Sequence, residues 1–246
     1  MANSNCPNLI RLLAFVVFAP VLVASSRAQE LPPAAVEMAK TYGLDSFDQV
    51  EGLRYTFNLE FPGLKVSRTW EWAPKTGEVT YQSKDKEGNP VKVTYKRSEL
   101  SSQPDNVKNE VEPAFNNDMY WLIFPFHVVW DKSAKVTDEG MQKLPVGDGS
   151  GEKIVVKYAP EVGGYTPGDT WELYLGPDHR VVAFAYHRGG PKKPSLVIAT
   201  WAGYKKAGPL LFSTDHVGTA DGGALHLSFS DVAVKVKGSD TWINAE

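Results

Sequence analysis

Leu53-Arg54-Tyr55-Thr56-Phe57-Asn58-Leu59-Glu60-Phe61 alternates without a slip: every odd position is apolar and every even position is polar. Successive side chains of an extended chain point to opposite faces, so this stretch is a β-strand with one face in a core and the other toward water. The rhythm continues downstream. Val66, Trp70 and Trp72 share a face with Arg68, while Ser67, Thr69 and Glu71 oppose them. It returns in Val79 and Tyr81 and again in Val91, Val93 and Tyr95. Pro62-Gly63, Lys75-Thr76-Gly77 and Glu87-Gly88-Asn89-Pro90 supply turns between these runs, and short turns between consecutive strands imply antiparallel pairing.

The second half repeats the pattern in Ile154, Val156 and Tyr158, in Trp171, Leu173 and Leu175, and in Val182, Phe184 and Tyr186. It closes with Leu225, Leu227 and Phe229, then Val232, Val234 and Val236, giving about ten or eleven expected strands. Two segments read as helix. Ala34 to Thr41 is opened by Pro32-Pro33 and closed by Gly43. The other follows Asn117 or Asp118 as a cap and includes Tyr120-Trp121-Leu122-Ile123-Phe124-Pro125-Phe126, with Pro125 interrupting its course. That helix is apolar nearly all round, so it must be buried or bind something. Ser133 to Gly151, rich in Gly, Lys and Asp, reads as a loop. The expected class is mainly β (α+β), a strongly curved antiparallel sheet wrapping helices.

Composition removes several functions. With 26 Lys and Arg against 29 Asp and Glu in 246 residues, no cationic footprint exists for nucleic acid. A hydrophobic share of 42% places the chain among globular proteins rather than disordered ones. Residues 1 to 28 contain no acid, and Arg11 precedes an apolar run from Leu12 to Ala24 that gives way to Ser26, Arg27 and Ala28. This is the pattern of a secretory signal peptide cut after Ala28, leaving 29 to 246 as a single domain. The run is too short, and too interrupted by Pro20, to span a bilayer, which needs about 20 apolar residues. The expected product is secreted, periplasmic and without a stable membrane anchor. Cleavage removes Arg11, Arg27 and Cys6, taking the formal charge from −3 to −5 and leaving no thiol chemistry.

The residues offer little catalytic signal. No two of the five histidines have zinc-site spacing, so neither a metal nor a cofactor is implied. Ser213, Thr214, Asp215 and His216 contain triad residue types, but neighbours along a strand alternate between faces and do not converge. Glu60, Glu71, Asp169, Glu172 and Asp178 furnish acids for a carbohydrate hydrolase only if two of them face each other across a cleft. The distinguishing feature is aromatic loading on the inward face. The candidate ligand-binding set is therefore Tyr55, Phe57, Arg68, Trp70 and Trp72 from the strands, with Trp121, Phe124 and Phe126 from the apolar helix.

Arg68 falls on the apolar face, where a cation needs a partner such as helix-end carbonyls or a ligand head group; the alternatives are an ion pair, a β-bulge that turns it outward, or a strand edge. The favoured function is a non-catalytic protein that binds or carries a lipid, a lipoprotein or another hydrophobic ligand in an apolar cavity. The alternatives are a secreted hydrolase with paired carboxylates and a structural module whose interior is filled by its own side chains.

Several segments carry a family resemblance: Ser67-Arg68-Thr69-Trp70-Glu71-Trp72, Asn117 to Trp130, Pro167-Gly168-Asp169-Thr170-Trp171-Glu172-Leu173-Tyr174-Leu175, and Phe229-Ser230-Asp231-Val232. In layout the chain resembles the periplasmic, outer-membrane lipoprotein-sorting carriers of the Lol type and their relatives. That resemblance implies an unclosed β-barrel covered by short helices. It also implies that an inward arginine, matched by Arg68, holds the covering helices.

Overall fold

The computed structural model describes residues 30–85, 87–161, 165–190 and 193–246; the expected signal segment lies outside the described residues. The described chain opens with α1 (Pro33–Thr41). Pro33 sits in its first turn, where the missing N–H costs nothing, and Ala35, Met38 and Ala39 are buried. Gly43 ends it with φ of 103°, and a Cβ there would lie 2.5 Å from the Pro209 carbonyl oxygen. The position therefore requires glycine for both conformation and space.

Four strands follow, β1 (Val50–Phe61), β2 (Leu64–Ala73), β3 (Glu78–Lys84) and β4 (Pro90–Lys96), and they form an antiparallel meander. After α2 (Glu112–Trp130) come β5 (Ala134–Lys143), β6 (Ser150–Tyr158), β7 (Thr170–Leu175), β8 (Val181–Arg188) and β9 (Ser195–Thr200). The chain ends with β10 (Ala202–Ala207), β11 (Leu210–Ala220), β12 (Gly223–Val236) and the short β13 (Ile243–Asn244). All thirteen join one sheet in the order β4-β3-β2-β1-β12-β11-β9-β8-β7-β6-β5, with β10 on β11 and β13 on β12. It is a curved, antiparallel and unclosed sheet, as expected.

Its curvature follows from one turn of α2. Asp118 hydrogen-bonds Trp70 of β2, and Trp121, one turn on, packs 4.8 Å from Trp171 of β7. Those strands stand six places apart, about 29 Å in a flat sheet at 4.8 Å per strand. A helix is only about 10–12 Å across with its side chains. The sheet must therefore curl around α2, and 13 of the helix's 19 residues are buried. An all-round apolar helix is stable here because it is surrounded on nearly every side.

Two expectations are corrected and a third is made specific. Asn117 and Asp118 do not cap α2; the helix starts at Glu112, behind a π-turn at Val107–Val111, with Pro113 in its first turn. Pro125 interrupts the helix without ending it. The missing Pro125 N–H leaves a kink, with Ile123 at φ −120°, ψ 22°, and the helix resumes to Trp130. The stretch read as a loop from Ser133 to Gly151 contains β5. Ala134 and Val136 face inward, and beyond a register shift between Asp138 and Met141 the strand is an exposed edge. An edge strand held by ladder hydrogen bonds does not need apolar alternation, so it does not look like a strand in sequence.

The shift from odd to even inward positions after Phe229 has a local cause. Thr56 faces Ser230 while Arg54 faces Ala233, so β12 carries a bulge, with Asp231 at φ 54°. The bulge keeps both Phe229 and Val232 buried on the same strand. Asp231 is tied back to β1 by the Thr56 hydroxyl at 3.1 Å.

Candidate functional site

Three acids project from α2 or its end, and each is bound by donors of the sheet or of the helix itself. Glu112 is 1% exposed and accepts from the Tyr95 hydroxyl and from Arg97 Nε at 3.0 Å. Asp118 is fully buried; Arg68 grips it bidentately through Nε at 2.7 Å and Nη2 at 2.6 Å, and Trp70 Nε1 adds a third bond at 2.8 Å. Asp131, at the C-terminal end, accepts from the Tyr120 and Tyr158 hydroxyls, both at 2.7 Å, and lies 3.1 Å from His127 Nδ1.

Burial and partners pull these carboxylates in opposite directions. For Asp118 burial is the stronger influence and holds the carboxyl above its ordinary value, against the pull of Arg68, Asn117 and Trp70. The bidentate guanidinium keeps the pair charge-assisted nonetheless. For Asp131 burial also raises the carboxyl, but His127 and the two tyrosine hydroxyls outweigh it and leave it below its ordinary value. Burial and the Asp131 charge push the Tyr120 and Tyr158 hydroxyls well up, so both remain protonated donors.

Between α2 and the inward face of the sheet lies a cleft of about 580 Å³. Its walls are Phe57 and Leu59 of β1, Trp121 of α2, Trp171 of β7, and Leu225 and Leu227 of β12. The rim includes Leu64, which is 48% exposed, with Arg188, Ser195 and Asp221. A polar strip comes from Asn116, Asn117 and Tyr120 on the helix and from Tyr165, Asp169 and Tyr186 opposite. A volume of this size suits one small-molecule ligand. A second hollow of about 680 Å³, between the splayed ends of β2 and β3, is lined mainly by polar and charged residues, among them Lys65, Arg68 and Lys84.

The eight candidate residues divide between the cleft and the packed interior. Phe57 and Trp121 line the cleft. Tyr55, Trp70, Trp72, Phe124 and Phe126 are buried in the core: Trp70 and Trp72 pack on Phe115, and Phe126 stacks on Trp130 at 5.3 Å. Phe124 stacks on Trp171 at 4.0 Å, behind the cleft wall. Arg68 holds Asp118, the ion-pair option among those open to it. Reading the sequence did not single out Leu59, Tyr165, Tyr186 or Leu227 as ligand contacts, although alternation already placed Leu59, Tyr186 and Leu227 inward.

The triad residue types do not assemble. Ser213 donates to the Ala202 carbonyl at 2.6 Å, Asp215 pairs with His226 at 2.7 Å, and His216 contacts the Thr200 carbonyl at 3.2 Å. Of the acids considered for hydrolysis, Asp169 lines the cleft, Glu71 lies in an outer groove, and Glu172 pairs with Lys153 at 3.3 Å. Among the described residues, no group of three or more His, Cys, Asp or Glu is placed to hold a metal ion, and no helix is long and apolar enough to cross a membrane.

No family model matches the chain, and no curated protein matches it. Among solved structures it is similar to a DUF1329 family protein from Desulfovibrio piger, at 10% identity and a TM-score of 0.46, over 85% of this chain and 95% of that one. It is also similar to the lipoprotein LppX of Mycobacterium tuberculosis, at 12% identity and a TM-score of 0.29, over 81% and 95%.

Proposed function

We propose that the chain is an exported, non-catalytic binding protein that holds a lipid chain or similar hydrophobic ligand in the cleft between α2 and the sheet. On this reading residues 1 to 28 direct export to the periplasm and 29 to 246 act as one binding domain. The observation that carries it is the cleft itself: a hollow of about 580 Å³ with walls of Phe57, Leu59, Trp121, Trp171 and Leu227, next to an otherwise filled aromatic interior. Burying a hydrocarbon chain there returns roughly 25 cal/mol for each Å² of apolar surface removed from water.

Arg68 fixes the wall rather than touching the ligand. By holding Asp118 it sets where α2 lies, and α2 carries Trp121 and Tyr120 into the cleft. The test is native mass spectrometry of the protein purified from its own host. A lipid-sized mass adduct released on activation is the expected result; its consistent absence, with added lipid also failing to bind, overturns the proposal.

A further inference from the structure

The polar strip of the cleft has an unusual hydrogen-bond inventory. The Tyr120 hydroxyl donates to Asp131, the Tyr186 hydroxyl to Asp169 at 3.0 Å, and the Tyr165 hydroxyl to Glu112 at 3.4 Å. Both amide protons of Asn116 go to Glu112, to its carbonyl at 2.8 Å and its Oε1 at 2.7 Å, while its Oδ1 accepts from Arg97 Nη2 at 2.8 Å, and Asn117 gives one of its two to Asp118 at 3.0 Å. A tyrosine hydroxyl has one proton and two lone pairs, so a hydroxyl already donating to a carboxylate meets a ligand as an acceptor. The acids behind the cleft have therefore taken most of the protons that its tyrosines and asparagines could offer, leaving the Tyr186 oxygen and the Asp169 carboxylate as acceptors in the lining.

Charge points the same way. Asp169 is 2% exposed and accepts from Gly189 N at 2.9 Å as well as from Tyr186, and a carboxylate has acceptor sites beyond two. The charged lining residues are Asp169, Asp221 and Arg188, two acids against one base. Arg188 gives its Nε to the Lys193 carbonyl at 2.9 Å, and its Nη groups remain as donors at the rim, which it shares with Asp221.

Resting on the proposed lipid-binding role, we infer that the cleft selects an amphiphile whose head group donates hydrogen bonds and carries no negative charge. A hydroxylated or ammonium head supplies the protons that the strip accepts. An anionic head that passes the rim loses its water and meets the Asp169 carboxylate and the Tyr186 oxygen, and an unsatisfied buried charge is strongly disfavoured.

A matched series separates this from its alternatives: a monoacylglycerol, a primary alkylamine and a fatty acid of one chain length, titrated at neutral pH and followed by calorimetry and by intrinsic tryptophan fluorescence, to which Trp121 and Trp171 of the cleft wall contribute. The monoacylglycerol and alkylamine should bind at least about tenfold more tightly than the fatty acid. Asp169→Asn, checked for fold by circular dichroism, should shrink the alkylamine's advantage over the fatty acid. Equal or tighter binding of the fatty acid by the unaltered protein overturns the inference and leaves the lipid-binding role standing. No binding by any of the three overturns both.

Discussion

The two ends of β1 face inward with the same alternation, yet one end is packed solid and the other opens into the cleft. At the first end Leu53 and Tyr55 are fully buried, opposite Trp72 and Trp70 on β2, and those rings are covered by Phe115 and Phe47. The Tyr55 hydroxyl has no hydrogen-bond partner among the described residues, and burial drives it well above its ordinary value. At the second end Leu59 is only half-buried and Phe61 and Leu64 run to the cleft rim. The difference comes from α2. It presents Phe115 and the Asp118 ion pair to the first end, and Pro113, Asn116 and Asn117 toward the cleft. An inward position in a strand says where a side chain points, and the element across from it decides whether the space is filled.

The sharpest way to break this contrast is at the ion pair that seats α2. Arg68→Leu leaves a fully buried carboxylate with Trp70 and Asn117 as its remaining donors. Removing one partner of a buried pair costs about 3–5 kcal/mol, so urea unfolding should show a loss of that size. Replacing both, Arg68→Leu with Asp118→Leu, should recover most of it. A single variant as stable as the unaltered protein would mean that α2 is seated by packing alone.

Packing at the closed end gives the next effect. Leu53→Ala deletes a fully buried side chain between Trp72 and the rest of the core and should cost about 3 kcal/mol, within the range for buried leucines. A loss below about 1 kcal/mol would show that this end is as loosely filled as the other.

Acid tests whether water from the cleft reaches the interior behind it. His216 on β11 is fully buried among Trp201, Phe184 and Phe229, and burial lowers its imidazole from 6.5 to about 4. The unfolded chain takes up this proton below about pH 6.5 while the folded chain resists until about pH 4, so stability is full above the first value and falls toward the second. At about pH 5 the loss is about 2 kcal/mol relative to neutral pH. His216→Phe should lack that portion of the pH dependence when the two are compared by urea unfolding. Identical profiles would place His216 in contact with water and extend the wet region past the cleft wall.

Much of this is legible in the sequence, and the parts that are not share a cause. The strand at Leu53–Phe61 announced itself because one face is buried and the other solvated, the condition that writes a period of two into a sequence. Edge strand β5 and the start of α2 did not, because ladder hydrogen bonds and a proline-initiated turn leave no hydrophobic rhythm. Arg68 was recognisable as a buried cation in need of a partner, but Asp118 looked like a helix cap, since Asp is common there and its true distance from the helix start was hidden. Aromatic residues marked the interior without separating Trp70, which fills it, from Trp121, which borders the cleft. That separation depends on pairs 50 or more residues apart in the chain, such as Arg68 with Asp118 and Trp121 with Trp171.

The smallest effect is the one that sharpens the comparison most. Leu59→Ala makes the same chemical change as Leu53→Ala, on the same strand and the same face, six residues along. Leu59 is already half open to water, so truncation creates no sealed cavity and should cost about 1 kcal/mol, the transfer energy of partly buried methylenes with no cavity cost added. Its consequence should appear in ligand binding instead, because Leu59 is part of the cleft wall. Measuring both variants for stability and for binding of a monoacylglycerol should give crossed results: Leu53→Ala weakens the fold and spares the ligand, and Leu59→Ala spares the fold and weakens the ligand. If the two variants moved both quantities together, β1 would be a uniform core strand and the cleft an incidental gap in its packing.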